Sequence, residues 1–245
     1  MDRITLVTGG SRGIGAATAR LCAAEGHAVA VNYCNDAEAA ESVCAAVEAA
    51  GARAFPVRAD TGKEDDILAM FEAVDRELGP VTGLVNNAGI HGPRGRLDAL
   101  GAGAIARVLD VNVAGYFLCA REAVRRMSTR HGGIGGAIVN VSSGSANFGG
   151  PNEGVLYAAS KGAVNSLTIG LSQEVAREGI RVNTVAPGLT ETDMPPADKL
   201  ETLGKNVPIG RTAQPHEIAE AIVWLLSDKA SYTAGANIRV GGGRI

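Results

Sequence analysis

Tyr157 and Lys161 have the residue types and the spacing that acid–base chemistry requires. Residues four apart on a helix share one face, so the lysine ammonium can lie near the tyrosine phenol or near a group bound to it. An unperturbed tyrosine, with a pKa of ~10, exchanges protons poorly at neutral pH, but nearby positive charge stabilises the phenolate and lowers that pKa. The same spacing is common on surface helices, so the pair gains meaning only from its surroundings.

Ser143 follows a predicted strand over residues 137–141. Its hydroxyl could donate to a substrate carbonyl oxygen and hold that oxygen for protonation, although serine also ends strands routinely. A hydrolase nucleophile is not indicated, because Ser145 is followed by Ala146 and Asn147 and no Gly-x-Ser-x-Gly turn is formed.

A glycine-rich segment, residues 8–15, joins the first predicted strand to the first predicted helix and reads Thr-Gly-Gly-Ser-Arg-Gly-Ile-Gly. Glycines permit a tight turn and close approach of the backbone to phosphate, and the free amides of a helix start favour negative charge. A purely structural turn would use the same residues. Its place in the first strand–helix unit favours a nucleotide-binding function.

Strands and helices alternate along the chain, which predicts one domain over residues 1–245. The predicted strands are 4–8, 28–32, 54–59, 83–85, 137–141, 181–186 and 237–240, and the predicted helices are 14–25, 37–50, 64–78, 97–129, 156–177 and 215–226. Parallel strands need crossover helices that then cover the sheet. We therefore expect an α/β, doubly wound fold: a seven-stranded, mostly parallel sheet with helices on both faces.

Ligands of such sheets bind beyond the carboxyl ends of the strands. Asp60 and the segment 86–89, Asn-Asn-Ala-Gly, fall on that edge, although either could simply cap a turn. Residues 189–211 are polar and contain Pro195, Pro196 and Pro208, which predicts a substrate flap.

The composition disfavours several classes of protein. A hydrophobic fraction of 46% is enough for a core, and the net charge of -3 gives no reason to expect nucleic acid. The four cysteines and four histidines are scattered, so neither a disulfide framework nor a metal site is predicted. The chain starts Met1-Asp2-Arg3 and enters a strand at Ile4, and no segment reads as a membrane span, so we expect a cytoplasmic protein without a membrane partner.

Together the motifs resemble the short-chain dehydrogenase/reductase family over essentially the whole chain. They are the segment 8–15, the segment 86–89, Asn112, Ser143, Tyr157, Lys161 and the Pro187-Gly188 pair. Within the family, the bacterial 3-oxoacyl-[acyl-carrier-protein] reductases look most similar. The resemblance implies a Rossmann-fold oxidoreductase that transfers a hydride between nicotinamide and a carbonyl or alcohol carbon.

The resemblance also assigns roles. Tyr157 would be the general acid/base, Lys161 would lower its pKa and hold the cofactor ribose, Ser143 would position the reacting oxygen, and Asn112 would maintain a water-linked proton path to Lys161. The implied cofactor-binding residues are Gly9, Ser11, Arg12, Gly13, Ile14, Gly15, Tyr33, Asp60, Thr61, Asn86, Ala88, Gly89, Tyr157, Lys161, Pro187, Gly188, Thr190 and Thr192.

Two positions depart from the family pattern. The interval from Ser143 to Tyr157 is one residue longer than usual, which makes Ser143 preferable to Ser142 without excluding a shifted loop. Thr190 stands where the family usually has an aliphatic residue, but the contact expected there is made by backbone.

The end of the second strand bears on cofactor choice. Residues 31–33, Val-Asn-Tyr, lack the acid that would bind the ribose hydroxyls of NAD and repel a phosphate. Asp36 lies beyond the strand, where capping the next helix is its expected job. Arg12 can approach a ribose phosphate, whereas Cys34 and Asn35 supply no second base. We therefore expect NADP(H) to be preferred, with NAD(H) possible.

The resemblance predicts a small-molecule ketone, alcohol or acyl substrate and an NADPH-preferring ketone reductase. Arg130 matches a base that carrier-dependent reductases offer to an acidic carrier, whereas Glu178 stands where they usually have a second base. The alternatives are an NAD-dependent alcohol or sugar dehydrogenase and, outside enzymes, a nucleotide-binding regulator. The family's homotetramer is expected, through helices 97–129 and 156–177 and through residues 237–243.

Overall fold

The computed structural model describes residues 3–194 and 197–244. Its sheet has seven parallel strands in the order β3-β2-β1-β4-β5-β6-β7. The strands are β1 (Arg3–Val7), β2 (His27–Tyr33), β3 (Ala54–Arg58), β4 (Gly83–Asn86), β5 (Gly136–Val141), β6 (Ile180–Pro187) and β7 (Asn237–Val240). The order reverses between β1 and β4, which is the switch point where doubly wound sheets bind ligands. The predicted fold class is confirmed.

The helices cover both faces of the sheet. They are α1 (Gly13–Ala24), α2 (Ala37–Ala49), α3 (Glu64–Glu77), α4 (Ala102–Leu109), α5 (Gly115–Met127), α6 (Ser145–Phe148), α7 (Val155–Val175), α8 (Ala197–Lys205) and α9 (Pro215–Leu226). One apolar cluster joins α1, α2 and α9 to the sheet, and a second joins α3, α5 and α7 to the opposite face. The strands alternate between the two clusters, with Leu6 in one and Val7 in the other, because successive side chains of a strand point to opposite faces.

The predicted helix over residues 97–129 is divided. A 3₁₀ turn at Leu97–Ala99 precedes α4, and a π-helical turn at Asp110–Ala114 separates α4 from α5. Such π turns widen a helix locally and are frequent at functional sites. This one contains Asn112.

Two helices were missed by the sequence analysis. The short α6 follows Ser143, and α8 lies inside the predicted flap. Both ends of the flap are held by a parallel bridge between Thr190 and Ala213. Pro195 and Pro196, which helped to predict the flap, lie outside the described residues.

One expectation about membranes needs correction. The continuous helical stretch Ala102–Met127 is long and apolar enough to cross a bilayer by length and composition, with a mean hydropathy of 1.3. Core helices of soluble proteins pass the same test. Here Cys119, Ala123 and Met127 pack into the core beneath the sheet, and 33% of the apolar window is buried.

Candidate active site

The four predicted catalytic residues come from three elements that meet at the carboxyl edge of the sheet. Ser143 follows β5, Tyr157 and Lys161 lie in the first two turns of α7, and Asn112 lies in the π turn. Contacts of α7 with the π turn and with β5 bring these elements together. The spacing of Tyr157 and Lys161 on one helical face is therefore present as predicted.

Tyr157 is half-buried at the centre of this group. Burial raises the pKa of its phenol above the ordinary value, and a side-chain hydrogen bond with Ser143 opposes that rise. Lys161 was expected to lower the Tyr157 pKa. Among the protein's own groups, the loss of hydration is the larger effect, and it raises that pKa. The phenol is held in its protonated form at neutral pH.

Lys161 is almost completely buried, with 2% of its surface exposed. Its Nζ donates to the carbonyl oxygen of Val141 at 2.8 Å and to the hydroxyl of Tyr116 at 2.9 Å. The same nitrogen lies 5.9 Å from the centroid of the Tyr157 ring. Burial lowers the pKa of Lys161 to about 7.

Asn112 ties the loop after β4 to α7. Its Oδ1 accepts from the Ile90 amide at 2.9 Å, and its Nδ2 donates to the Ile90 carbonyl at 2.8 Å and to Ser160 Oγ at 3.0 Å. Ser160 in turn donates to the Tyr157 carbonyl at 2.7 Å. Asn112 thus braces the helix that carries Tyr157, a function that the π turn makes possible.

Gly89 lies next to both Asn112 and Lys161. A Cβ at Gly89 would lie 3.3 Å from Asn112 Oδ1 and 3.4 Å from Lys161 Nζ. Glycine at this position therefore leaves space beside the Lys161 ammonium on the β4 side. Gly89, Asn112 and Lys161 therefore lie together in the structure.

The glycine-rich loop has the shape of a phosphate cradle. Gly13 has a φ of +53°, and a Cβ at Gly15 would lie 2.3 Å from the Gly9 carbonyl oxygen. A side chain at Gly13 would press on Thr192, and one at Gly15 would clash with the Gly9 carbonyl, so glycine lets the loop turn tightly against the start of α1. Ser11 and Ile14 complete the turn, and Ile14 packs on the core. These residues fit a dinucleotide.

The loop after β4 is locked to the glycine-rich loop. Asn87 Nδ2 donates to the carbonyl oxygens of Thr8 and Gly9 at 2.9 and 3.1 Å, and the amides of Asn87 and Ala88 both donate to Thr8 Oγ1. Asn86 was predicted to line the cofactor, and its side chain is not free to do so. Its Nδ2 points inward, donating to Asn140 Oδ1 at 3.0 Å and to a backbone carbonyl.

Asp60 and Thr61 follow β3 at the predicted edge. Asp60 Oδ1 accepts from Arg107 at 2.9 Å and from the Gly62 amide at 3.0 Å, and the pKa of Asp60 is lowered because these hydrogen bonds outweigh its partial burial. Thr61 is buried. The protein's own groups therefore orient the Asp60 carboxylate, which is the group predicted to contact adenine.

The segment after β6 closes the other side of the cradle. The Gly188 amide donates to the Val240 carbonyl at 2.8 Å, and Thr190 Oγ1 donates to the Gly188 carbonyl at 3.2 Å. Thr192 reaches the glycine-rich loop, since its Cγ2 would lie 3.1 Å from a Cβ at Gly13. Pro187, the last residue of β6, accepts from the Gly144 amide at 2.9 Å beside Ser143.

Asn32 lies at the end of β2, where NAD-selecting proteins have an acid and where the sequence analysis found none. Its Oδ1 accepts from the Gly9 amide at 3.0 Å, while its Nδ2 donates to the Ala59 carbonyl at 3.1 Å and to the Val57 carbonyl at 3.3 Å. A carboxylate could not make those donations. Asp36 is a helix cap, as predicted: its Oδ1 accepts from the Ala39 amide at 3.0 Å.

Arg58 is a basic residue at the end of β3 that the sequence analysis missed. It ends β3 in register with Tyr33, the last residue of β2, so both stand at the predicted edge. Its Nε donates to the Cys34 carbonyl at 3.2 Å, and the residue is exposed. Parallel pairing of β2 with β3 was the signal that would have identified it.

His91 was missed as well. Its imidazole stacks on the Tyr157 ring with the centroids 5.0 Å apart and the planes 18° from parallel. Burial and the charge of Arg94 lower the pKa of His91, so the ring is neutral at neutral pH. Its place two residues after Gly89 was the available signal.

Arg130 and Glu178 form an ion pair at 3.2 Å. Ser128 also donates to the Glu178 carboxylate, and together these groups lower the pKa of Glu178. The positive charge that carrier-dependent reductases would present here is therefore offset by an adjacent carboxylate.

Known proteins resemble this chain along nearly its whole length. A family model described as enoyl-(acyl carrier protein) reductase matches residues 9–244. The uncharacterized oxidoreductase YgfF of Escherichia coli is 52% identical, covering 98% of this chain and 99% of the relative. The cis-4-hydroxycyclohexanecarboxylate dehydrogenase of Sinomonas cyclohexanicum is 43% identical, with coverages of 99% and 96%.

A third relative, the 3-oxoacyl-[acyl-carrier-protein] reductase of Staphylococcus aureus, is 38% identical over 99% of this chain and 98% of its own. Among solved structures, a blue fluorescent protein from a metagenomic library in complex with NADPH is 34% identical, with a TM-score of 0.92 over 99% of this chain and 97% of that one. The chain belongs to the short-chain dehydrogenase/reductase family of NAD(P)-dependent oxidoreductases.

Proposed function

We propose that the protein is an NADPH-preferring ketone reductase that acts on a small, freely diffusing carbonyl compound. The cofactor preference rests on the end of β2. There the Asn32 side chain both accepts and donates hydrogen bonds, which requires an amide, and Arg58 lies on the neighbouring strand. A carboxylate at this position would bind ribose hydroxyls and repel a phosphate. An amide beside a guanidinium favours the phosphate.

Two arginines can receive the ribose phosphate. Arg12 lies 3.5 Å from Asp193, but both side chains are largely exposed, at 69% and 75%, and such surface pairs are weak. Arg58 uses its Nε on Cys34, and no described ion pair engages its guanidinium. Charge-assisted hydrogen bonds from both would favour NADP(H) and leave NAD(H) as the poorer cofactor.

In the proposed reaction Ser143, Tyr157 and Lys161 each have a separate role. A bound nicotinamide supplies the hydride. Ser143 holds the substrate carbonyl oxygen, and Tyr157 transfers its phenolic proton to that oxygen as the alcohol forms. Because burial raises the pKa of Tyr157, the phenol starts in the protonated form that reduction requires. Lys161, anchored by two hydrogen bonds, keeps one N–H for the ribose.

Two alternatives remain distinguishable. The dehydrogenase name of the Sinomonas relative favours an alcohol or sugar dehydrogenase, which would use NAD at the same four residues. A non-catalytic regulator is disfavoured because Asn112, Ser143, Tyr157 and Lys161 are all present and adjacent. The Arg130–Glu178 ion pair argues for a free substrate over one carried by an acidic protein.

We further propose a homotetramer in the cytoplasm. Large apolar side chains stand exposed on the outer faces of the helices expected to pair: Phe117 on α5 at 50% and Ile169 on α7 at 55%. A contiguous apolar surface formed by these side chains would mark an association site. All four cysteines, including exposed Cys34, are free thiols, which suits a reducing compartment.

The test is a panel of ketones and of their alcohols, assayed with purified protein and each cofactor. We expect reduction with NADPH to have the highest catalytic efficiency. Higher efficiency with NADH would contradict the cofactor proposal, higher efficiency for alcohol oxidation with NAD would favour the dehydrogenase, and NADPH binding without turnover of any compound would favour the regulator.

A further inference from the structure

We propose that Tyr116 is a positioning residue for Lys161, a fifth member of the catalytic group that acts through the lysine rather than on substrate. This inference rests on the proposed function, in which Lys161 holds the cofactor and supports Tyr157. Tyr116 lies in the first turn of α5, immediately beyond the π turn, and is 2% exposed.

Tyr116 contacts the lysine head in two ways. Its hydroxyl accepts from Lys161 Nζ at 2.9 Å, and the same nitrogen lies 4.8 Å from the centroid of the Tyr116 ring. Both contacts favour the ammonium over the neutral amine, because a hydroxyl lone pair and an aromatic face each attract positive charge. They partly offset the burial that lowers the lysine pKa.

The hydroxyl also has a fixed direction. Tyr116 donates its proton to the Val141 carbonyl at 3.0 Å, and Lys161 donates to the same oxygen at 2.8 Å. The three groups form a closed triangle, so two of the three ammonium N–H groups are assigned. The third is left for the side on which Gly89 opens the site.

This geometry makes Tyr116 an anchor and not a proton carrier. Its O–H points at a carbonyl, which cannot pass a proton onward, and burial raises the Tyr116 pKa well above 10. The titratable groups near this triangle are Lys161, Tyr157 and Cys119. Of these, Lys161 is the group that Tyr116 contacts directly.

Tyr116→Phe removes the hydroxyl and keeps the ring. Without its acceptor the ammonium is less favoured and less fixed, so the pKa of Lys161 falls further than burial alone takes it. The ammonium is the form that holds the cofactor ribose, so the pH above which NADPH affinity declines should move lower by about half a unit to one unit. We also expect kcat to fall about 10-fold to 100-fold while the substrate KM changes little.

A binding measurement separates this idea from the proposed reaction. NADPH affinity, followed by fluorescence without turnover, should weaken about 3-fold to 30-fold in Tyr116→Phe. In a Lys161→Met background the same change should have no further effect, because a double-mutant cycle removes an interaction only once. Equal losses in both backgrounds would show that Tyr116 acts independently of Lys161 and would overturn the proposal.

The matched control is Tyr232→Phe, because Tyr232 is fully exposed. It should leave the pH profile, the NADPH affinity and the melting temperature unchanged. If Tyr116→Phe lowers the melting temperature but keeps the wild-type pH midpoint and affinity, its role is structural and the proposal fails. If wild-type protein binds NADPH but turns over nothing, the proposed function fails while the binding cycle still decides the role of Tyr116.

Discussion

Three residues surround Tyr157. Ser143 makes a hydrogen bond with its phenol, His91 stacks on its ring, and Lys161 Nζ lies 5.9 Å from the ring centroid. The hydrogen bond acts on the phenolic oxygen directly. The stacking acts on the ring. Position and proton affinity are therefore controlled by different residues, and substitutions can separate them.

Tyr157→Phe tests the proton transfer alone. The ring and its stacking on His91 remain, so we expect a folded protein with wild-type NADPH affinity. Turnover should fall by at least about 1,000-fold, within the range of general acid–base catalysis. Steady-state kinetics and a fluorescence titration measure both quantities. Activity within about tenfold of wild type, a barrier change of only ~1.4 kcal/mol, would contradict the role.

Lys161→Met tests the cost of burying the lysine. The pKa of Lys161 is about 7 in the folded protein and 10.5 ordinarily, so between those pH values the unfolded chain binds the extra proton. Wild-type stability therefore rises with pH across that window, and methionine removes this dependence. We expect Lys161→Met to lose turnover and NADPH affinity but to melt several degrees higher at pH 7, by calorimetry.

The pH dependence supplies the control for this prediction. The stability gain of Lys161→Met should be largest at pH 7 and should shrink as the pH approaches 10, where wild-type protein no longer loses stability to the buried amine. A variant that melts lower than wild type at pH 7 would show that the hydrogen bonds of Lys161 outweigh its desolvation.

At the scale of elements, alternating apolar strands and helices were enough to predict the sheet, because each pattern reports burial directly. The π turn at Asp110–Ala114 could not be predicted from periodicity. Its Asn112 bonds the backbone of Ile90, which lies in another segment of the chain. Arg58 was missed for the same reason, since its importance appears only when β3 lies beside β2.

Arg58→Ala tests the proposed ribose-phosphate site at the ends of β2 and β3. We expect NADPH affinity to weaken about 10-fold to 100-fold, the size of one charge-assisted hydrogen bond, with NADH affinity unchanged. Arg177→Ala is the matched control, because Arg177 is exposed after α7, at the opposite edge of the sheet. Equal losses for both cofactors would place Arg58 outside the phosphate site.

At the scale of the whole molecule, the same helices serve the core and the outer surface. The stretch Ala102–Met127 packs Cys119 and Ala123 under the sheet while Phe117 faces outward, which is why its composition resembles a membrane span. Sequence alone could not assign its two faces, because large apolar side chains occur on both, beside the charged residues of the outer face. A partner subunit on the outer face would account for the second one.

The tetramer prediction follows from that outer face. Phe117→Glu and Ile169→Glu should each lower the solution mass from a tetramer to a smaller species, because pairing would bury an unpaired carboxylate at a cost of several kcal/mol. Ile134→Glu is the matched control: Ile134 is as exposed, at 59%, but precedes β5 at the opposite edge of the sheet. Light scattering after size-exclusion chromatography gives the masses. A wild-type monomer at micromolar concentration would contradict the assembly, whereas unchanged masses in both glutamate variants would place the interface elsewhere.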